Sequence, residues 1–174
     1  MAVDGSFAIE AEWVGDERGQ YGKIFSSPIF AEHGLHFDFQ DLNISRSVEA
    51  GTLRGLKYQN APHGETKIFF CLSGEVHDVL FDQREGSPTY GTTQVHRLRA
   101  DDRTALWVPK GVAHGFETLE PNTTVMYLTD HGWAPEAETG IRFDDPVLDA
   151  GWPLEPSVIG EKDRTWPLFS SLGS

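Results

Sequence analysis

Short apolar or alternating runs, each closed by Gly, Pro, Asp or Asn, recur along this chain, and few amphipathic stretches of helical length interrupt them. Period-two alternation between turn residues is the signature of strands, and strands at this spacing predict an all-β sandwich or barrel rather than a parallel sheet. The run KIFFCLSGEVHDVLFD, residues 67–82, reads as a β-hairpin: Lys67 to Leu72, a turn at Ser73 and Gly74, then Glu75 to Asp82. Alternation turns Val76, Asp78, Leu80 and Asp82 inward together. Asp82 also suits a turn residue ending the strand before GSPTYG, whereas Asp78 in mid-strand is harder to explain that way. TALWVPKGVAHGF gives a strand, a turn from Pro109 to Gly111 and a short segment carrying His114. NTTVMYLTD, residues 122–130, gives a strand in which Thr124, Met126 and Leu128 alternate against Val125 and Tyr127. The last third, rich in Trp, Pro, Gly and Asp, predicts irregular or short helical cover. With 174 residues and 39% hydrophobics, the chain reads as a single domain over 1–174 that builds its core without disulfides or a structural metal.

The charge balance narrows the partners. Twenty-seven acidic against 14 basic residues give a net charge of −13, which argues against a nucleic-acid surface, since phosphate binding relies on clustered Lys and Arg. The exception is GTLRGLKYQNAPHGETK, residues 51–67, where Arg54, Lys57 and Lys67 flank His63; a phosphate group would be met there. No apolar run reaches the roughly 18 residues of a membrane span, and MAVDGSFAIE lacks the basic and apolar regions of a signal peptide. The expectation is a soluble, cytoplasmic protein without membrane contact, in keeping with a lone Cys71 inside an apolar run, which reads as a buried inert thiol. Glycine-rich phosphate loops, GxSxG elbows and CxxC pairs are absent from the sequence. None of the seven histidines forms an HxH pair; His63 and His114 are free to meet in space, yet two ligands do not make a metal site, and no metal is expected.

Seven segments in fixed order resemble the dTDP-4-dehydrorhamnose 3,5-epimerase family: DERGQYGKIF, NISRSVEAGTLRGLKYQ, SGEVHDVLFDQREGSPTYG, WVPKGVAHGFETL, VMYLTD, GIRFDDPVLDAGWP and IGEKDRTWP, from about Asp16 to Pro167. The resemblance implies a cupin-like jelly roll, a homodimer with N-terminal strands exchanged between subunits, a nucleoside-diphospho-4-keto-6-deoxy sugar as substrate, and no metal or organic cofactor. In such epimerases a base removes a proton beside the ketone, an enolate forms, and an acid returns a proton to the opposite face. The family's base is a histidine in a motif like RGLHYQ; here RGLKYQ puts Lys57 in its place, with Asp163 of GEKDR at the partner position. Tyr127 matches the acid, Lys67 the lysine on the enolate oxygen, Asp78 and His114 the pair lining the pocket, and Arg54 the diphosphate ligand. The same resemblance assigns Arg18, Tyr21, Lys23, Asn43, Gln59, Trp133 and Lys162 to substrate contacts. Tyr21 and Lys23 stand where the family shows an aromatic and an acid, and Trp133 where a tyrosine is usual. A cation at 23 cannot accept a hydrogen bond from thymine's imide, so the resemblance fixes the nucleotide base less well than the family.

Outside that frame the same residues read blandly: Tyr127 as a core tyrosine, Lys67 as a strand-edge cation, His114 as a structural histidine. The substitution at Lys57 opens a chemical question. A histidine with a pKa of about 6.5 offers a neutral base at pH 7, whereas an ordinary lysine near 10.4 is neutral in fewer than about one molecule in a thousand. Lys57 is therefore either an amine tuned into a base or an ammonium in an enzyme that moves protons by other groups; a non-catalytic sugar-nucleotide binder is the third reading.

Overall fold

The computed structural model describes residues 1–171 and bears out the all-β reading. Thirteen strands are numbered in chain order: β1 Phe7–Glu10, β2 Trp13–Asp16, β3 Gly19–Gly22, β4 Asp41–Ser47, β5 Thr52–Gln59, β6 Lys67–Ser73, β7 Glu75–Asp82, β8 Thr93–Arg99, β9 Thr104–Val108, β10 Val112–Thr118, β11 Thr123–Thr129, β12 Glu138–Gly140 and β13 Val158–Ile159. Two short helices accompany them, α1 Ser27–Glu32 and α2 Glu161–Arg164, neither long enough to cross a membrane. One sheet runs β1-β9-β6-β11-β4, and the second runs β12-β5-β10-β7-β8, with β13 added beside β5. Among the described residues β2 and β3 pair only with each other and form a separate ribbon.

The expected hairpin over residues 67–82 is corrected. Both strands exist, but β6 pairs with β9 and β11, while β7 pairs with β8 and β10. The chain turns a corner between sheets at Gly74, whose φ is +78° and where a Cβ would lie 2.3 Å from Thr123 Oγ1. β9 and β10, joined through residues 109–111, change sheets in the same way. The physical reason lies in burial: all eight residues of β7 are buried, so its alternation separates two packed faces. Val76 and Leu80 face the space between the sheets with Phe69, Leu106, Val112, Phe116 and Val125. Val79 and Phe81 face outward, beneath Ile141, Leu148 and Ala150 of the irregular C-terminal cover. A third cluster packs Phe30 and Phe37 onto the far face of the first sheet, over Trp107 and Leu128. Each fully buried apolar side chain contributes roughly 1.5–3 kcal/mol relative to leaving it exposed, so these three clusters supply the main favourable term that holds the two sheets together.

Two sequence readings are settled here. Cys71 is buried among apolar side chains, and that burial pushes its thiol up to about 11, so it is inert at neutral pH. Asp82 is a turn residue: its carboxylate accepts hydrogen bonds from Arg84, Ser87 and Thr89 and closes the loop after β7.

Candidate active site

At one end of the sandwich the apolar filling gives way to a cavity of about 470 Å³ between the sheets. Strand register decides what lines it. On one wall Lys57 of β5 lies directly opposite His114 of β10, and such pairs present side chains on the same face. On the other wall two rows cross the first sheet: Asn43, Tyr127 and Phe69 in one, Asp41, Thr129 and Lys67 in the next. Of the residues expected at the site, Arg54, Lys57, Lys67, His114, Tyr127, Asn43, Gln59 and Trp133 all line this cavity.

Two others stand directly behind it. Asp78 is fully buried, and its Oδ2 lies 2.6 Å from His114 Nε2. The imidazole is held edge-on to Phe69, with ring centroids 4.9 Å apart. A buried carboxylate is costly to desolvate without a partner, which gives mid-strand Asp78 its physical reason: it orients His114. Among the described residues its Oδ1 has no hydrogen-bond partner. Asp163, on α2, plays the corresponding part behind Lys57. Its Oδ2 accepts the Gly55 backbone N–H at 3.2 Å and its Oδ1 the Trp166 indole N–H at 3.1 Å. Lys57 Nζ is 3.7 Å from Oδ1, an ion pair rather than a close hydrogen bond, with the lysine side chain 36% exposed to the cavity.

The remaining polar groups are coupled across the space. Burial raises the Tyr127 phenol above the ordinary tyrosine value, and the negative charge of Glu65 adds to that. The phenol therefore keeps its proton through the neutral range. Lys67 Nζ lies 3.1 Å from Glu65 Oε1, and both side chains are largely buried. Gln59 donates from Nε2 to Glu65 Oε2 and to the carbonyls of His63 and Gly132, and accepts the Ala134 N–H. Its amide is thus spent on fixing two loops at the cavity wall. Burial opposes the ionisation of Glu138, but hydrogen bonds from Lys162 and Trp133 together with the charge of Lys57 outweigh it and hold the carboxyl below its usual range. Lys162 is therefore one bond removed from the cavity, reaching it through Glu138.

Arg18, Tyr21 and Lys23 are not brought to the cavity. They lie on or just after the β2–β3 ribbon, exposed, with Arg18 paired to Asp16. His63 packs edge-on against His131 with ring centroids at 5.2 Å, not against His114. Among the described residues no group of three His, Cys, Asp or Glu is placed to hold a metal ion. Sequence reasoning missed Glu65, Glu138 and Asp41, which all line the cavity. For Glu65 a signal was present: two residues before Lys67 in extended chain, it falls on the same face.

Three cations, three carboxylates, a phenol and an oriented imidazole in one cleft can hold an anionic ligand and move protons on it. The class so defined is a cupin-like β-sandwich with a proton-transfer site between its sheets. The sequence profile of dTDP-4-dehydrorhamnose 3,5-epimerase matches residues 1–171. The dTDP-4-dehydrorhamnose 3,5-epimerase of Methanothermobacter thermautotrophicus is 40% identical over 169 residues, covering 95% of this chain and 90% of its own length. The crystal structure of dTDP-6-deoxy-D-glucose-3,5-epimerase from Legionella pneumophila, in complex with dTDP-4-keto-L-rhamnose, superposes with a TM-score of 0.91 at 36% identity, covering 98% of this chain and 90% of that one. A 3'-monoepimerase from Streptomyces bikiniensis, in complex with dTDP-quinovose, gives 0.93 at 30% identity, covering 99% and 89%. The chain belongs to the dTDP-4-dehydrorhamnose 3,5-epimerase family.

Proposed function

We propose that this protein is an epimerase of a nucleoside-diphospho-4-keto-6-deoxy sugar, inverting the carbon next to the ketone through an enolate. The observation that carries this is the meeting of Lys57, Lys67, His114 and Tyr127 in one cavity between the sheets. Removing a proton beside a ketone leaves negative charge on the carbonyl oxygen; a preorganised ammonium, here Lys67, stabilises it where it develops. Tyr127, protonated because burial raises its phenol, returns a proton to carbon as the enolate collapses to the ketone. Arg54, which lines the cavity without an ion-pair partner among the described residues, suits the diphosphate. Lys57 takes the place of the family's base histidine, with Asp163 behind it. The relatives act on dTDP sugars at one or two carbons, which supports the reaction class and leaves both C3 and C5 within this site's reach. The ribbon bearing Arg18, Tyr21 and Lys23 serves the nucleotide of a second copy in a homodimer, since it lies off this chain's own cavity.

Solvent isotope exchange tests the proposal. In D₂O the protein is expected to wash deuterium into carbon-bound positions of dTDP-4-keto-L-rhamnose, read by NMR. Tyr127→Phe should lower epimerisation by about 10²–10⁴-fold, the usual contribution of a general acid. Tight binding without any exchange identifies a binder and ends the epimerase reading.

A further inference from the structure

Trp166, two residues beyond α2, joins the site from behind. Its indole N–H donates to Asp163 Oδ1 at 3.1 Å, the same oxygen that lies 3.7 Å from Lys57 Nζ. Asp163 Oδ2 accepts the Gly55 N–H at 3.2 Å. Uncharged donors therefore fix the carboxylate at both oxygens, and Lys57 Nζ stays at ion-pair distance instead of closing to a hydrogen bond. The helix cannot fix Asp163 by itself. It is four residues long, its N-cap Gly160 makes no side-chain bond, and a helix of this length is not stable in water without tertiary packing. The Trp166 ring supplies that packing. Gly140 of β12 lies directly opposite Lys57 of β5, so a side chain at 140 would share the face of the Lys57 side chain. A Cβ there would meet Trp166 Cδ2 and Cε2 at 2.8 Å. The ring thus fills the place beside the Lys57 stem that glycine leaves open. Lys162 Nζ stands 5.1 Å from the ring centroid and bonds Glu138 on the cavity wall, while the Pro167 carbonyl accepts the Arg142 N–H at 3.0 Å.

Resting on the epimerase reading above, we propose that Trp166 is a positioning residue: its indole fixes Asp163, and Asp163 with the ring beside it aims Lys57 into the cavity, from the sheet opposite the one that carries Tyr127. This needs two properties of tryptophan at once, a flat ring that fits over Gly140 and a donor that reaches Oδ1. Phenylalanine keeps only the first. Without the donor, Oδ1 is left to Lys57 alone, the pair closes, and Nζ is drawn toward α2 and off its line to the substrate carbon. A misplacement of about 1 Å at a reacting group costs up to about 10²-fold in rate.

The test is a double-mutant cycle read by deuterium exchange into dTDP-4-keto-L-rhamnose, with dTDP binding followed by calorimetry and folding by thermal melts. Trp166→Phe should bind dTDP as the natural protein does and lower kcat for exchange by about 10–100-fold at an unchanged KM. In an Asp163→Ala background, where no carboxylate is left to position, the same substitution should lower the rate no further. Trp152→Phe is the control for a loosened C-terminal cover: it deletes an indole N–H bonded to the Phe143 carbonyl at 2.8 Å, and should leave exchange at the natural rate. Exchange at the natural rate in Trp166→Phe overturns the proposal. So does an equal fold-loss with and without Asp163, a loss that lies in KM and dTDP affinity, or a loss of the same size in Trp152→Phe. Absence of exchange in the natural protein instead removes the epimerase reading on which the proposal stands.

Discussion

Glu117 is fully buried on the outward face of β10, with Oε2 accepting the Leu154 N–H at 3.2 Å and Oε1 unpartnered among the described residues. Burial raises its carboxyl above the usual range, and the bond from Leu154 offsets this only in part. The folded state therefore holds the proton more tightly than the unfolded chain. Stability from this group is present below the unfolded carboxylate value and is lost as pH rises through the folded one. Glu117→Gln keeps an acceptor for Leu154 and removes the charge, so its melting temperature should match the natural protein near pH 4 and exceed it increasingly toward pH 8; equal melting curves at pH 8 would show that water or a neighbour already satisfies Oε1. Asp82 has the opposite sign. Burial opposes its ionisation, but hydrogen bonds from Arg84, Ser87 and Thr89 outweigh that and hold its carboxyl far below the usual range, so its stabilisation fades in acid. At this scale the sequence was legible where one residue defies its local pattern, as Asp78 does within an apolar strand. It marked Glu65 only through its spacing from Lys67 and was silent on Glu138, because a charged residue near a turn reads as solvated surface until the opposite wall of the cavity is in place.

Strands were legible and their partners were not. Period-two alternation marks β6, β7, β9, β10 and β11, yet the adjacent runs 67–73 and 75–82 end in different sheets because a pattern of alternate burial names a face and not a neighbour. What chooses the pairing includes close backbone approach, and Gly115 is where that matters for the site. It sits on β10 at the irregularity between His114 and Phe116, where a Cβ would lie 2.8 Å from Arg54 O and 3.2 Å from Gly55 Cα of β5. Both obstacles are backbone, so neither can rotate aside. Gly115→Ala should cost about 1–3 kcal/mol, the usual range for overpacking, and should lower catalysis by displacing Lys57 from His114. Gly132→Ala is the control, since its nearest neighbour would be Asp41 Oδ2 at 3.9 Å. Thermal melts in which the two variants behave alike would contradict this account of the β5–β10 contact.

At the scale of the molecule, one chain leaves the ribbon without a third strand and, among its sheet edges, leaves that of β4 open beside apolar side chains. Among the described residues β2 and β3 share a strand ladder only with each other, with Val14 and Tyr21 exposed, although Arg103 lies 5.3 Å over the Trp13 ring and donates to Gln20 of β3. β4 ends the first sheet with one edge unpaired among the described residues, and Leu42 and Ile44 on its outer face are exposed. An isolated two-stranded ribbon is marginal in water, and a free edge flanked by apolar side chains invites another strand. A second copy supplies both needs if each ribbon packs on the other's β4 edge, and it would carry Arg18, Tyr21 and Lys23 toward a cavity they do not reach in their own chain. The expected outcome in sedimentation velocity at micromolar concentration is a species of twice the 19.4 kDa chain mass. Replacing residues 13–22 by a short Gly-Ser linker should shift that species to the monomer and weaken binding of a nucleoside diphosphate, while the β-sandwich keeps its circular dichroism. A natural protein that sediments as a monomer, or a ribbon deletion that leaves both mass and nucleotide binding unchanged, would place the three ribbon residues outside the site.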